Sequence, residues 1–90
     1  MSEVRKNVAA GRYEMDIDGE VAFVTFAERG GTIHLLHAEV PRALRGRGAG
    51  SRLAAGVLDT VRGEGVKVVP RCGFIADFIR LNPAYGDLVA

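Results

Sequence analysis

The chain has 90 residues, a length that suits one domain over residues 1–90 and leaves no room for two. Apolar residues make up 48% and charged residues 26%, which excludes a disordered chain. The formal net charge of +1 argues neither for nor against nucleic acid. One cysteine, Cys72, excludes an intrachain disulfide, and no spacing of ligands predicts a metal site.

No segment of the sequence has the pattern of a membrane anchor or a secretory leader. The apolar runs all fall short of the roughly 18 residues that a membrane-spanning helix needs. No hydrophobic segment follows residues 1–6, as it would in a signal peptide. We therefore expect a cytoplasmic protein that does not bind a membrane.

The charges are unevenly distributed along the chain. Four arginines and no acidic residue lie between Arg42 and Arg52, whereas carboxylates are concentrated in residues 14–20. A local basic segment of this kind favours a phosphate-bearing ligand or an acidic partner.

The first half of the chain predicts an antiparallel meander. Residues 12–17 alternate apolar and charged side chains, which is typical of a half-buried strand. Asp18 and Gly19 form a pair that favours a two-residue hairpin turn. The β-branched and aromatic residues 20–27 predict a return strand buried on both faces, and a second turn leads to a strand over residues 32–40.

The second half predicts two helices and one more strand. Pro41 ends the third strand, and the apolar spacing from Leu53 to Val61 predicts an amphipathic helix. Residues 66–69 predict a short strand that can return parallel to the third by a right-handed crossover. A second amphipathic helix is predicted from the apolar residues Phe74, Ile75, Phe78, Ile79 and Leu81. The predicted class is α+β: a small mixed sheet, an antiparallel meander plus one parallel strand, with two main helices packed on it.

A glycine-rich segment, RGRGAG at residues 45–50, lies between a predicted strand and a predicted helix. Its backbone N–H groups and the positive end of the helix dipole would suit a pyrophosphate. A tight connection without a ligand would have the same composition. The segment lacks the Gly-Lys-Ser/Thr ending of a P-loop, and Ser51 or Leu53 stands where a dinucleotide fingerprint needs its third glycine.

The sequence resembles the GNAT acetyltransferases. Val40, the glycine-rich segment and the helix after it look like the GNAT cofactor motif, Arg/Gln-x-x-Gly-x-Gly/Ala. The stretches HAEVP (37–41), VVPRCGF (68–74) and NPAY (82–85) look like the minimal, single-domain subgroup of predicted N-acetyltransferases. The resemblance implies that acetyl-CoA is bound, without a metal, by Val40, Arg45, Gly46, Arg47, Gly48, Ala49, Gly50 and Ser51.

The tyrosine that is often the catalytic acid of GNATs is absent from its usual place in this chain. Larger GNATs often use a tyrosine on the last helix, where this chain has Phe78 and Ile79; Tyr85 follows only later. In the minimal subgroup the cysteine at the position of Cys72 is a proposed proton donor or acetyl-accepting nucleophile. Its place at a strand-to-helix junction beside Arg71 suits a reactive thiol, although a buried structural cysteine is the alternative.

Two side chains of the third strand are candidates for the base. His37 and Glu39, two residues apart, project from one face, and either could take a proton from an amine, directly or through water. A structural histidine and a solvated carboxylate are the alternatives. His34 is expected on the opposite face. The arginines expected to contact phosphates, including the 3′-phosphate of coenzyme A, are Arg42, Arg45, Arg47 and Arg52.

These observations predict an acetyl-CoA-dependent acetyltransferase that moves an acetyl group to an amine of unknown identity. The predicted elements leave the acceptor site open, which suits an amine of a protein, a peptide or a polyamine. A non-catalytic CoA-binding module is the alternative. A nucleic-acid-binding domain fits less well, since no series of aromatic residues accompanies the arginines. We expect a monomer or a weak dimer.

Overall fold

A computed structural model describes residues 4–90; residues 1–3, which belong to the predicted domain over residues 1–90, lie outside it. Five strands form one mixed sheet in the order β1-β2-β3-β4-β5. Neighbouring strands are antiparallel except β4 and β5, which are parallel, so the predicted α+β architecture is confirmed. In chain order the elements are β1 (Val4–Asn7), β2 (Arg12–Ile17), β3 (Glu20–Arg29), β4 (Thr32–Glu39), a first 3₁₀ helix (Arg42–Leu44), α1 (Ala49–Glu64), β5 (Lys67–Pro70), α2 (Gly73–Leu81) and a second 3₁₀ helix (Pro83–Leu88).

Strand β1 is the strand that the sequence did not predict. It pairs with β2 from Val4 opposite Met15 to Asn7 opposite Arg12. The strand has only four residues, three of them charged or polar, so no alternation of apolar and polar side chains marks it. The antiparallel part of the sheet therefore has four strands rather than three.

Both helices pack on the same face of the sheet, and α1 also contacts α2. The prediction that the β3 segment is buried on both faces is wrong. Ala22 and Val24 are buried under the helices, whereas Val21 is exposed and Phe23 and Thr25 are only half-buried. The reason is that no helix of residues 4–90 covers the second face. The core between the helices and the sheet includes Tyr13, Met15, Ile33, Leu35, Leu53, Val57, Leu58, Val61, Val68, Ile75 and Ile79.

The helices themselves are short or strongly amphipathic. Helix α1 runs over 16 residues and α2 over nine. Among the residues that the structure describes, neither these nor the 3₁₀ helices combine the length and apolar character that crossing a membrane requires.

A hydrogen-bonded charged network lies on the sheet face that the helices leave open. Glu14 is only 3% exposed, and its carboxylate accepts hydrogen bonds from Arg5 Nε (2.9 Å), Asn7 Nδ2 (3.2 Å) and Arg12 Nε. The Arg12 guanidinium also lies 4.2 Å from the ring centre of Phe23. These hydrogen bonds, that from Arg12 above all, hold the pKa of Glu14 below its ordinary value although burial acts in the opposite direction.

The last residues of the chain pack against α1 and the edge of β5. Arg62 of α1 donates two hydrogen bonds to the Asp87 carboxylate, at 2.8 and 2.9 Å. Val89 pairs with Val68 of β5, and the Ala90 N–H donates to the Val68 carbonyl at 2.9 Å. The end of the sequence, for which the pattern predicted no defined element, is thus attached to the sheet.

The Glu14 network predicts a pH-dependent contribution to stability. Because its pKa is lowered in the folded state, the Glu14 carboxylate stabilises the fold above its ordinary pKa, and this contribution disappears as the pH falls through the lowered value. Glu14→Gln should lower the Tm near neutral pH, and the difference from the parent protein should narrow as the pH falls below about 4. Thermal unfolding at a series of pH values measures this, with Glu20→Gln, at an exposed position, as the control. A gap that stays constant with pH would contradict the assignment.

Candidate functional site

Strands β4 and β5 separate before β4 ends. Their parallel pairing runs from Thr32 opposite Lys67 to Leu35 opposite Pro70. The backbone N–H groups of Arg71 and Cys72 then both donate to the Leu35 carbonyl, at 2.9 and 3.0 Å. The chain next turns into α2. Within the described part of the chain, residues 36–39 of β4 consequently lack a strand partner on the β5 side.

A pocket of about 580 Å³ lies at this open edge of β4. Three parts of the chain line it: the end of β4, the segment that leads into α1, and the first turn of α2. It therefore joins a basic, glycine-rich wall to a strand edge that carries a histidine and a carboxylate. The lining residues are His37, Ala38, Glu39, Val40, Arg45, Gly46, Gly48, Gly50, Ser51 and Phe74.

The glycine-rich segment forms a tight loop and then the start of α1. Gly46 and Gly48 have φ angles of 80° and 76°, in the left-handed region that favours glycine. Helix α1 begins at Ala49, and no side chain of residues 4–90 caps it. Its first backbone N–H groups lack acceptors within the helix and suit an anion. Ala49 and Gly50 are therefore helical rather than loop residues, and the Ala49 side chain is buried in the core.

The arginines around the loop differ in how far they are engaged. Arg45 donates from Nε to the Val40 carbonyl at 3.0 Å, and its guanidinium lies 3.8 Å from Glu39. Arg42 and Arg47 are exposed, and neither side chain makes a hydrogen bond or ion pair with any residue from 4 to 90. Arg47 lies in the loop without lining the pocket itself. Arg42 and Arg47 thus carry positive charge that is available to a ligand.

His37 and Glu39 contact each other at the pocket. His37 Nε2 lies 2.9 Å from Glu39 Oε1, and both side chains are exposed to solvent. Because Glu39 also lies beside Arg45, the three side chains form a continuous polar chain along the pocket rim. In residues 4–90 no group of three or more His, Cys, Asp and Glu side chains could hold a metal ion.

A bulge in β4 determines the direction of its histidines. Thr25 of β3 pairs with His37, whereas the next residue, Phe26, pairs with Leu35, so Leu36 is the extra residue. His34 pairs with Ala27, two positions from Thr25, and therefore projects from the same face as His37. The prediction that the two histidines lie on opposite faces is wrong, because strict alternation does not hold across a bulge.

Cys72 is close to the pocket in sequence but does not line it in the described structure. The residue is half-buried at the N-cap of α2. Its N–H donates a hydrogen bond to the Leu35 carbonyl, and its own carbonyl accepts one from the N–H of Ala76. Two residues later, Phe74 does line the pocket. The backbone of Cys72 is thus held at the point where β4 and β5 separate.

Tyr85 has a structural contact away from the pocket. Its hydroxyl donates to Asp59 Oδ1 of α1 at 3.0 Å, and its ring packs against Phe78 at a centroid distance of 5.8 Å. Desolvation, and then the interaction with Asp59, raise the pKa of Tyr85. This tyrosine therefore joins the C-terminal segment to α1 and is not among the described residues that line the pocket.

Two pocket residues were missed by sequence reasoning. Phe74 was predicted on the apolar side of α2, but 44% of it is exposed and its ring lines the pocket. Ala38 lies between the two candidate bases in the sequence and lines the pocket with them and with Val40. A large apolar residue in the first turn of a helix, two residues after a reactive-type cysteine, was the signal that could have identified Phe74.

A glycine-rich helix start beside two separating parallel strands defines the acetyltransferase architecture that the sequence resembles. A family model described as GCN5-related N-acetyl-transferase matches residues 12–88, and the chain belongs to that family. It is similar to Protein NATD1 of Xenopus tropicalis, with 40% identity over 52 residues, covering 58% of this chain and 48% of the relative. Protein NATD1 of Homo sapiens is 41% identical over 51 residues, covering 57% of this chain and 45% of the relative. The matched segment thus spans about half the length of these relatives.

The loop geometry predicts opposite effects for two Gly→Ala substitutions. Gly48→Ala places a β-carbon at a φ of 76° and should destabilise the protein by roughly 1–2 kcal/mol, the usual cost of this conformation for an alanine. Gly63→Ala, inside α1 with open space around its Cα among the described residues, should stabilise it by up to about 1 kcal/mol. Urea unfolding compares both with the parent protein. Equal effects of the two substitutions would contradict the loop conformation.

Proposed function

We propose that this chain is an acetyl-CoA-dependent N-acetyltransferase. The observation that carries the proposal is the shared pocket: the glycine-rich start of α1 and the His37–Glu39 pair line one cavity at the open edge of β4. Membership of the GCN5-related N-acetyltransferase family supports acetyl transfer as the general activity. The acetyl donor and the group that accepts the proton would then meet in the same space.

The glycine-rich segment would hold the pyrophosphate of acetyl-CoA. Helix α1 fixes the direction of the uncapped N–H groups of Ala49, Gly50 and Ser51, because its first residue is anchored in the core. These N–H groups suit phosphate oxygens, so an arginine is not needed at each of those oxygens. Gly46 and Gly48 allow the backbone to turn tightly enough for this. Val40 would line the arm of the donor.

The arginines would add charge around that phosphate site. Arg45 already lines the pocket, whereas the exposed side chains of Arg42 and Arg47 are free to move toward the ligand. Guanidinium groups suit phosphate because they donate two parallel hydrogen bonds.

The transfer requires the movement of one acetyl group and two protons. The amine nitrogen attacks the thioester carbonyl carbon, the C–S bond breaks, the nitrogen loses a proton and the leaving sulfur gains one. In the tautomer that donates from His37 Nε2 to Glu39, Nδ1 has the free lone pair and can accept the proton of the amine. Glu39 would hold the ring in that tautomer and stabilise the charge that develops on it.

Cys72 would act in one of two ways. It would donate the proton to the leaving thiolate, or it would be a nucleophile that is acetylated before the amine. Its position at the separation of β4 and β5 supports a role near the thioester, since its N–H and that of Arg71 share the Leu35 carbonyl. Intact-mass analysis after incubation with acetyl-CoA and no acceptor distinguishes the two roles. Only the nucleophile forms a stoichiometric acetyl adduct that Cys72→Ser abolishes.

The acceptor site would be open to solvent. His37 and Glu39 are exposed, and no helix of the described chain covers their face of the sheet. An exposed base suits an amine on a protein, a peptide or a polyamine better than a small apolar metabolite that must be enclosed.

Two observations favour a second function, a CoA-binding module without catalysis. Tyr85, the tyrosine nearest to α2 in the sequence, is hydrogen-bonded to Asp59, and Cys72 does not line the described pocket. In that case acetyl-CoA would bind in the same way, and the chain would not transfer the acetyl group to any amine.

Donor binding is the first prediction to test. Isothermal titration calorimetry should detect saturable, equimolar binding of acetyl-CoA, and Gly48→Asp should abolish it because a carboxylate would face the pyrophosphate. Gly63→Asp, at an exposed position near the other end of α1, is the matched control and should bind as the parent does. No heat with the parent protein at high micromolar acetyl-CoA would overturn the proposed function.

Catalysis is tested by substitution of the three candidate residues. With a peptide or polyamine acceptor, Cys72→Ser and His37→Gln should each lower kcat by about 10²-fold or more, the usual contribution of a general acid or base, with little change in acetyl-CoA affinity. Glu39→Gln should lower kcat less, since the ring can still be hydrogen-bonded. Tyr85→Phe is the control and should keep kcat within about twofold. A parent protein that binds acetyl-CoA but acetylates no amine would support the binding module instead.

A further inference from the structure

The side chain of Phe74 is an exposed aromatic ring at a helix start, and it lies directly over Gly50. A β-carbon added to Gly50 would lie 2.8 Å from Cζ of Phe74 and 3.5 Å from both Cε atoms. The end of the ring therefore occupies the space that any other residue at position 50 would fill. No comparable neighbour lies within 4 Å of Gly46 or Gly48 in the described structure.

The three glycines of the glycine-rich segment consequently have two different explanations. Gly46 and Gly48 have positive φ angles, so their backbone conformation requires glycine. Gly50 lies in the first turn of α1 and is not among the residues with positive φ. A helical position alone would favour alanine over glycine. The contact with Phe74 is what accounts for glycine at position 50.

The ring also has an unusual environment for its size. The ring belongs to the sole large apolar side chain among the described residues that line the pocket, and 44% of Phe74 is exposed. Across the lining it is accompanied by the small apolar side chains of Ala38 and Val40, whereas the remaining side chains are polar or charged. Phe74, Ala38 and Val40 thus form an apolar section of the pocket, and a ligand segment that covered the ring would remove apolar surface from water.

We propose that Phe74 is a ligand-binding residue whose ring packs against the arm that joins the pyrophosphate of acetyl-CoA to its thioester, and that Gly50 is required because it seats this ring. The inference rests on the proposed function and extends it to a residue outside the glycine-rich segment. It distinguishes two parts of the donor site: backbone N–H groups for the phosphates, and an aromatic wall for the arm.

The test compares two ligands. Acetyl-CoA has the arm, whereas 3′,5′-ADP has the adenosine with its 3′- and 5′-phosphates and lacks both the arm and the outer phosphate of the pyrophosphate. Its affinity can be measured by displacement of acetyl-CoA in the calorimeter. Phe74→Ala should weaken acetyl-CoA binding about five- to tenfold, the effect of losing one partly buried aromatic contact, and should leave 3′,5′-ADP binding within about twofold. Leu81→Ala is the matched control, because Leu81 is an exposed apolar residue of the same helix that does not line the described pocket.

A double-mutant cycle tests the role of Gly50. Gly50→Ala should weaken acetyl-CoA binding because its β-carbon displaces the ring, whereas adding Gly50→Ala to Phe74→Ala should cost no further affinity. Circular dichroism and thermal unfolding check that each variant is folded. If Phe74→Ala is not, Phe74→Leu, which keeps an apolar side chain of shorter reach, gives the same comparison of the two ligands.

The outcomes separate this inference from the proposed function. If the parent protein binds acetyl-CoA but Phe74→Ala binds it equally well, the inference that Phe74 packs against the arm is wrong and the proposed function stands. If Phe74→Ala weakens both ligands equally, the ring acts on the loop rather than on the arm, and the inference is again wrong. Absence of acetyl-CoA binding by the parent protein would overturn both.

Discussion

The arrangement of the site depends on two hydrogen bonds to one acceptor, the backbone carbonyl of Leu35. This carbonyl accepts the N–H groups of Arg71 and Cys72, and these are the last hydrogen bonds between β4 and the chain beyond β5. Pro70 has no N–H to extend the ladder, and the backbone turns immediately into α2. The double hydrogen bond thus ends the parallel pairing with the backbone N–H groups of Arg71 and Cys72 both paired. The open edge of β4, the pocket, and the positions of Cys72 and Phe74 all follow from that ending.

Helix α1 links the stability of the fold to the geometry of the site. Its buried stripe packs on the sheet, and its very first residue, Ala49, belongs to the same core. The backbone of the first turn, which includes the pocket residues Gly50 and Ser51, is therefore fixed by core packing rather than by a flexible loop. A site built on a packed helix holds its donors close to one geometry before the ligand arrives. The loop before the helix needs only to turn sharply, which Gly46 and Gly48 allow.

Much of the architecture was predictable from the sequence, because it rests on local patterns. The meander, the parallel return strand and both helices follow from alternation, helical spacing and the prolines that interrupt them. Strand β1 was not predictable, because four residues with one apolar side chain give no periodic signal. The burial of β3 was overestimated, since a sequence of β-branched and aromatic residues does not show whether a second layer of helices exists.

The site was predictable to a smaller extent, because it depends on contacts between distant segments. The glycine-rich segment and His37 and Glu39 could be identified as residue types at a suitable spacing, and they do lie around one pocket. The bulge at Leu36 could not, and it reverses the expected direction of His34 relative to His37. The contact of Phe74 with Gly50 joins residues 24 positions apart in two helices, and neither helical pattern contains it.

The attachment of the C-terminal residues has a consequence for how copies of this protein behave at high concentration. An exposed strand edge can pair with a strand of another molecule and start aggregation. Beside β5, Val89 and Ala90 occupy part of that edge through Val68, while the Arg62–Asp87 ion pair keeps the segment in place. Residues 89 and 90 thus cover part of the β5 edge of the sheet. A change that released this segment would leave the pocket residues in place but would expose a strand edge to intermolecular pairing, so its first effect would be on solubility.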